Sequence, residues 1–255
     1  LRVLTSCRTH GAWADAALQA QVRRDGLDRK DAALCSRIVY GVLQNQLLLD
    51  FYLGAYCTQR LDHLQPPLAD ILRIGAYQIL FLDKVPDSAA VNSSVELAKL
   101  SKRGQAAGLV NAVLRKLARS KDQLPPLPEG DVSKLLSIRY SHPRWLVKRL
   151  LALLGREETE ALLALNNQPA AVTAQVNTCR FDTEAVREEF TAAGVQAEPD
   201  PALPDCLQLS GTGDLEQLEL FQAGAFYIQD PAARMAVLAA GLQPGNRVLD
   251  VCAAP

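Results

Sequence analysis

Between Gly11 and Arg119 the apolar residues return at helical intervals, and nowhere do they alternate as a half-buried strand requires. That period limits the first half of the chain to helices packed on helices. Ala12 to Gln21 reads as a small-residue helix. Leu27 to Asp31 opens a second, in which Ala33, Leu34, Ile38, Val39 and Val42 fall at helical spacing. Asn45 to Leu53 continues or restarts it. Pro66-Pro67 cannot sit inside a helix, so the chain turns there. Leu68 to Leu82 follows, apolar or small at Ile71, Leu72, Ile74, Gly75, Ile79 and Leu80. A helix apolar on most sides belongs at the centre of a bundle. After Val85-Pro86, Asp87 or Ser88 is the expected N-cap of a helix with Ala89, Val91, Val95 and Leu97 inward and Gly104 as its stop. Ala106 to Arg119 completes the set, with Leu109, Val110, Val113, Leu114 and Leu117 inside. The expectation is an all-α bundle of six or seven helices over residues 1–124.

The period changes beyond it. Gln123 to Gly130 is rich in proline and reads as a linker. Ser141-His142-Pro143 is the expected N-cap and first turn of a helix running to Leu154. Gly155 stops it, and Glu157 to Leu165 supplies a helical partner, so 125–168 is a linker and helical pair. From Pro169, strands are expected at Ala171–Thr178, Val195–Glu198, Leu207–Leu209 and Ala225–Ile228. Helices are expected at Thr183–Ala193 and Asp214–Phe221, which makes 169–229 a small βαβ-like α+β domain. Asp230-Pro231 caps a helix to Ala240. Arg247 to Val251 then reads as a buried strand running into a loop of small residues, Cys252 to Pro255. A strand entering such a loop is how an open α/β sheet makes room for a nucleotide at its carboxyl edge. Residues 230–255 are therefore read as the start of a Rossmann-like α/β domain, truncated at Pro255. Residue 1 is not Met, so the start is open too.

At 255 residues the chain holds roughly one to three domains. No apolar run approaches the roughly 20 residues of a spanning helix, and no charged-then-apolar leader opens the chain. Cys7, Cys35, Cys57, Cys179, Cys206 and Cys252 are scattered, as are His10, His63 and His142. No close-spaced ligand pairs exist, so no metal is expected. Lone cysteines of this kind are mostly buried thiols in a reducing compartment, which points to the cytoplasm. The net charge of −1 hides an asymmetry. Residues 1–125 carry 17 Lys+Arg against 11 Asp+Glu, and residues 126–255 carry 10 against 17. The basic excess peaks over 99–149, with 12 against 3. Either a polyanion partner or a solvated helical surface accounts for it.

Three segments carry a resemblance. Leu72 to Leu80, with Val85-Pro86, Ala90-Val91-Asn92 and Leu109 to Arg115, is similar to the NusB-type RNA-binding helical domain. Gly224 to Ala233 and Val248 to Pro255 resemble RNA 5-methylcytosine methyltransferases. Their order resembles the RsmB (Fmu/Sun) family of 16S ribosomal RNA cytosine-C5 methyltransferases, over essentially the whole chain. The resemblance implies S-adenosyl-L-methionine as methyl donor, ribosomal RNA of the small subunit as partner, and a monomer. It also implies that Cys252, Ala253, Ala254 and Pro255 form the first part of the cofactor loop, with Asp250 just before it. Small residues there let backbone N–H groups approach a carboxylate. The family's nucleophilic cysteine and its helper lie in later loops, so no catalytic residue is assigned here and Cys252 is not the nucleophile. The fragment is expected to bind RNA but to be inactive alone.

The RNA candidates are Lys99, Lys102, Arg103, Arg115, Lys116, Arg119 and Lys121, which would attract phosphates rather than read bases. Arg139, Arg144, Lys148 and Arg149 extend the basic surface. Tyr140 and Trp145 could stack on bases, but Trp145 beside Leu146 and Leu150 reads as core. Asn92 and Asn111 read as buried hydrogen-bonding groups. In Val176-Asn177-Thr178 the RNA role is carried by the resemblance alone. Gln229-Asp230-Pro231 reads as a helix cap, and the family adds packing beside the cofactor loop. Two other classes stay open: a non-catalytic NusB-like RNA-binding or antitermination protein, and a protein-interaction bundle with a solvated basic face.

Overall fold

A computed structural model describes residues 1–101, 106–168, 170–212 and 215–251. The chain divides into two compact units, Leu1–Gln168 and Pro169–Pro255.

In the first unit the helices are α1 (Arg2–His10), α2 (Ala14–Asp25), α3 (Arg29–Gln44), α4 (Gln46–Tyr56), α5 (Pro66–Phe81), α6 (Asp87–Leu100) and α7 (Ala107–Arg119). After the proline-rich connection come α8 (Val132–Tyr140) and α9 (Arg144–Asn166). Sequence reasoning did not find α1, which has only Val3 and Leu4 buried among polar residues. It also missed α8, although Asp131 caps it by accepting from the Lys134 amide at 3.0 Å. Asp28 caps α3 the same way, accepting from Asp31 at 2.8 Å. The chain restarts as α4 after Asn45. Pro66 and Pro67 stand in the first turn of α5, where the missing N–H groups cost nothing.

α5 is the axis of the bundle. Every residue from Leu68 to Ile79 is buried, and α1, α3, α4, α6 and α7 all pack on it. Close approach needs small residues. A Cβ on Gly75 would stand 2.3 Å from Leu114 Cδ1 and 2.7 Å from Ser94 Oγ, and one on Gly41 of α3 would overlap the Tyr77 ring. Two charges are buried in α5 and both are paired. Asp70 accepts from Arg8 of α1 at 2.9 Å and from Arg73 at 3.0 Å, and Thr5 adds a hydroxyl at 3.3 Å. Arg73 in turn makes a bidentate pair with Asp50 of α4 at 2.7 and 2.8 Å. Such a fork ties three helices through groups that would be costly if left single.

Two expectations fail in α6 and α8. Neither Asp87 nor Ser88 is the N-cap of α6; Pro86 holds that place, and Asp87 lies in the first turn. Of the residues expected inward, Val91 is buried and Val95 and Leu97 pack half-buried on the core, whereas Ala89 is exposed; Ala90, Ser94 and Ala98 complete the buried face. Gly104, expected to end that helix, lies outside the described residues. Ser141 is not an N-cap but the left-handed C-cap of α8, with φ 55°. Its Oγ accepts from the Leu48 amide at 3.2 Å, satisfying a free N–H in the first turn of α4. Gly155, at φ 77°, breaks α9 into the two expected halves.

The second unit is a four-stranded sheet of β1 (Val172–Val176), β2 (Gln196–Pro199), β3 (Cys206–Ser210) and β4 (Phe226–Ile228), in the order β2-β3-β1-β4. Every pairing is antiparallel. β1 and β2 therefore run parallel with β3 between them, joined through α10 (Thr183–Ala192), as in a split βαβ unit. α10 is capped by Asp182 and ended by Gly194 at φ 79°. Its Phe190 meets Phe226 of β4 with ring centroids 4.8 Å apart, and Phe221 of the short α11 (Glu219–Gln222) packs edge-on at 5.6 Å. Asp230 caps α12 (Pro231–Ala239), accepting from Ala232 at 2.7 Å. No helix among the described residues is long and apolar enough to cross a membrane.

Candidate nucleic-acid interface

α7 places its side chains by simple helical phase. Val110, Val113, Leu114 and Leu117 are buried, and Gly108, Ala112, Arg115, Lys116 and Arg119 form the opposite, exposed stripe. Arg115 Nε donates to Asn111 Oδ1 at 2.8 Å, which orients its guanidinium along that stripe. Lys116 and Arg119 have no ion pair among the described residues and lie in the last turn, where the helix dipole favours cations. Long side chains without a partner carry counterions in water, and a phosphate chain releases those counterions on binding.

The other candidates are placed differently. Lys121 Nζ pairs with Asp87 Oδ2 at 2.8 Å, so the end of α7 lies beside the start of α6. That hydrogen bond to Asp87 raises the lysine above its ordinary range. Lys99 pairs with Glu96 one turn back at 2.6 Å. It stands twelve residues beyond Asp87, roughly 18 Å along α6 at the helical rise. Lys99 is thus not brought to the Arg115–Lys116–Arg119 stripe, although charge counting joined them. Lys102 and Arg103 lie outside the described residues. Asn92 and Asn111 are not buried as expected. Asn92 is exposed and Asn111 half-buried, because both sit at the margin of the apolar side rather than within it.

The second basic stretch separates into committed and uncommitted groups. Arg139 pairs with Glu160 at 2.9 Å, and Tyr140 donates its hydroxyl to the same carboxylate at 3.0 Å. Burial and then that bond raise the Tyr140 phenol above its ordinary value. Arg144 bonds Ser133 Oγ at 3.1 Å and pairs with Asp131, locking the start of α9 to α8. Lys148 and Arg149 are exposed with no ion pair among the described residues. Trp145 is not core but 68% exposed. The phase of α9 explains the correction. Val147 takes the buried position, with Leu150 and Leu151 flanking it, and that turns residue 145 outward.

In the second unit Asn177 is a structural group. Its amide side chain donates to the Gly224 carbonyl at 3.1 Å and its backbone N–H to Ala225. The Cys206 thiol is buried, donates to Gln175 Oε1 at 2.9 Å, and is pushed up by burial. Of the other described cysteines, Cys7, Cys35 and Cys57 are half-buried and Cys179 is exposed, against the general expectation of burial. Arg234 of α12 pairs with Asp205 at 3.2 Å.

Arg247 to Val251 is not a buried strand. It pairs with no strand among the described residues, and Val248, Leu249 and Val251 are 62%, 83% and 81% exposed. A parallel strand has no hydrogen bonds of its own, so apolar sequence alone does not make one. Asp250 is exposed on this segment, and Cys252, Ala253, Ala254 and Pro255 lie outside the described residues. Of the five candidate cofactor residues only Asp250 is thus among the described ones, and no reaction step is assigned to them.

Comparison with known proteins also finds two parts, the second beginning at residue 142, within the first structural unit. Residues 1–119 match the model of the NusB family. Residues 142–216 match the Methyltr_RsmF/B-like, ferredoxin-like domain. The chain is similar to "Probable ribosomal RNA small subunit methyltransferase B" of Synechocystis sp., 30% identical over 99% of this chain and 57% of the relative. The protein of the same description from Bacillus subtilis is 29% identical over 100% of this chain and 56% of its own length. "Ribosomal RNA small subunit methyltransferase B" of Escherichia coli O1:K1 is 31% identical over 89% of this chain and 51% of its own. The chain thus spans little more than half the length of these curated relatives. The crystal structure of PH0851 shares the fold, with a TM-score of 0.68 at 20% identity over 95% of this chain and 55% of that one.

Proposed function

We propose, for a chain that carries a NusB-family domain followed by an RsmF/B-like ferredoxin-like domain, that it is the RNA-holding part of a small-subunit ribosomal RNA methyltransferase. The observation that carries this reading is similarity at 30% identity across 99% of the chain to a relative of that description. A non-catalytic NusB-like binding protein accounts for residues 1–119 but leaves the match over 142–216 without a purpose.

In this reading ribosomal RNA lies against the exposed cations of α7. Arg115, Lys116 and Arg119 would hold phosphates, with Lys99, Lys102, Arg103 and Lys121 adding positive charge. Target choice would rest on RNA shape rather than on base contacts from these residues. The methylated position is a cytosine C5, the donor is S-adenosyl-L-methionine, and the site of work is the cytoplasm. These finer points rest on the resemblance of residues 224–233 and 248–255 to RNA 5-methylcytosine methyltransferases. In the same reading Asp250 and Cys252–Pro255 open the donor's loop within an α/β domain that begins near Asp230. The packing of α12 through Arg234 and the exposed apolar side of that helix are compatible with it.

The test is bisulfite sequencing of small-subunit ribosomal RNA from cells with and without the gene. One cytosine should resist conversion only when the gene is present. Identical conversion patterns in the two strains would remove the cytosine-C5 assignment.

A further inference from the structure

Residues 132–156 carry six basic side chains, Lys134, Arg139, Arg144, Lys148, Arg149 and Arg156, and no acidic one. Two of the six are consumed in the fold, Arg139 by Glu160 and Arg144 by Asp131 and Ser133. Besides Arg144 and Leu154, the exposed residues on the first half of α9 are Trp145, Lys148, Arg149, Ala152 and Leu153. Their spacing of three and four residues makes them one stripe along the helix. Trp145 opens the stripe, with Lys148 and Arg149 one turn on, to either side. Val147 opposite is fully buried, so the helix cannot roll to hide the indole without losing its core contact. A large aromatic face left 68% in water costs hydrophobic free energy unless something covers it. The positive charge around it, with no carboxylate on the stripe, selects an anionic partner with flat apolar faces. An unpaired nucleotide chain has both parts: bases to stack on the indole and phosphates to meet Lys148 and Arg149.

We propose that the Trp145–Lys148–Arg149 stripe of α9 binds unpaired nucleotides of RNA, as a second contact beside the α7 cations. The inference rests on the RNA reading above and adds the strand state of the ligand. A duplex hides its bases, so α7 attracts any RNA whereas α9 retains only single-stranded stretches.

Trp145 reports its own occupancy. The chain has two tryptophans, and Trp13, 85% exposed, can be replaced by Phe to leave Trp145 alone. Oligouridine of about ten nucleotides, within the span such sites cover, is titrated into W13F while indole emission is followed. Emission should fall saturably, with a midpoint that rises steeply with salt. A blunt RNA duplex of equal length should quench far less. Trp145→Ala should weaken oligouridine binding about tenfold and Trp145→Phe about two- to threefold. The pair Lys148→Gln, Arg149→Gln should flatten the log–log salt slope by about 1.4, at roughly 0.7 per charge on a single strand. Unquenched emission, together with wild-type affinity in W145A and loss of binding in K116E/R119E, would overturn the α9 site and leave the RNA reading standing. A blue-shifted indole that acrylamide cannot reach in the free protein would mean that a protein surface covers Trp145, and would equally sink the proposal. Failure of every RNA to bind the unaltered chain would remove both readings together.

Discussion

Single side chains set the stability of the bundle most sharply where charge or crowding is buried. Asp70 is the hub of the Arg8–Asp70–Arg73–Asp50 chain, and its side chain is 4% exposed. Asp70→Ala should cost about 3 kcal/mol in urea unfolding, because Arg8 loses its carboxylate partner and the buried Arg73 is left with Asp50 alone. Gly75→Ala should cost about 1–3 kcal/mol by overpacking, since the new methyl meets both Leu114 and Ser94. Tyr40 gives a pH test. Burial and a hydrogen bond to Asp15 push its phenol up to about 12 from the usual 10. The folded chain therefore holds that proton more tightly than the unfolded one. Its contribution is complete below pH 10 and is lost as pH climbs toward 12. Thermal melts from pH 9 to 12 should show wild type losing its advantage over Tyr40→Phe across that window; parallel curves would contradict it. Residue identity was the weakest part of the sequence reading. Trp145 looked like core because its neighbours are leucines, but helix phase decides exposure and depends on which partner the helix finds. Nothing local in Asp70-x-x-Arg73 announced that Arg8 and Asp50, far off in sequence, would complete the network.

Elements were more legible, because capping and periodicity are local physics. Leu27 to Asp31 and Asp230 were readable as helix starts, and Gly155 as a stop. The failures share one cause: the deciding interaction was not local. α1 has too few apolar residues to show a period and is held by Asp70 and the bundle core. Ser141 carries a capping residue's chemistry but spends it on the first turn of α4. Arg247–Val251 has a strand's composition without a strand to pair with among the described residues. The α7 stripe was visible as Arg115, Lys116 and Arg119, whereas only the structure shows Lys99 at the far end of α6 and Lys121 held by Asp87. This separation predicts unequal effects. Reversing Lys116 and Arg119 should weaken RNA binding strongly, and Lys99→Glu should do much less, since Glu96 already neutralises it. Equal losses in a filter-binding comparison would mean that the cations act as one diffuse field.

At the scale of the whole chain, the two units have separate cores, and a smaller cluster of Leu136, Val147 and Leu163 joins α8 to α9 within the first. Leu1–Gln168 is organised on α5, and Pro169–Pro255 on Phe190, Phe226 and the sheet. Phe190→Ala should therefore destabilise the second unit by about 3–5 kcal/mol while leaving amide exchange in α5 unchanged. Slowed and hastened amides distributed over both units would show that the cores are coupled. The layout is a helical unit followed by a split βαβ unit, the latter overlapping the match to the RsmF/B-like ferredoxin-like domain. The change of hydrophobic period at Pro169 made that layout readable from sequence. In the proposed function, RNA is held by cations of the helical unit that have no ion pair among the described residues. The most direct test is the affinity of the chain for a small-subunit ribosomal RNA fragment, measured from 50 to 300 mM salt. Affinity should decline steeply on the log–log plot, with a shallower slope and at least tenfold weaker binding for Lys116→Glu, Arg119→Glu. Binding that ignores salt, or that survives the double reversal unchanged, would contradict it.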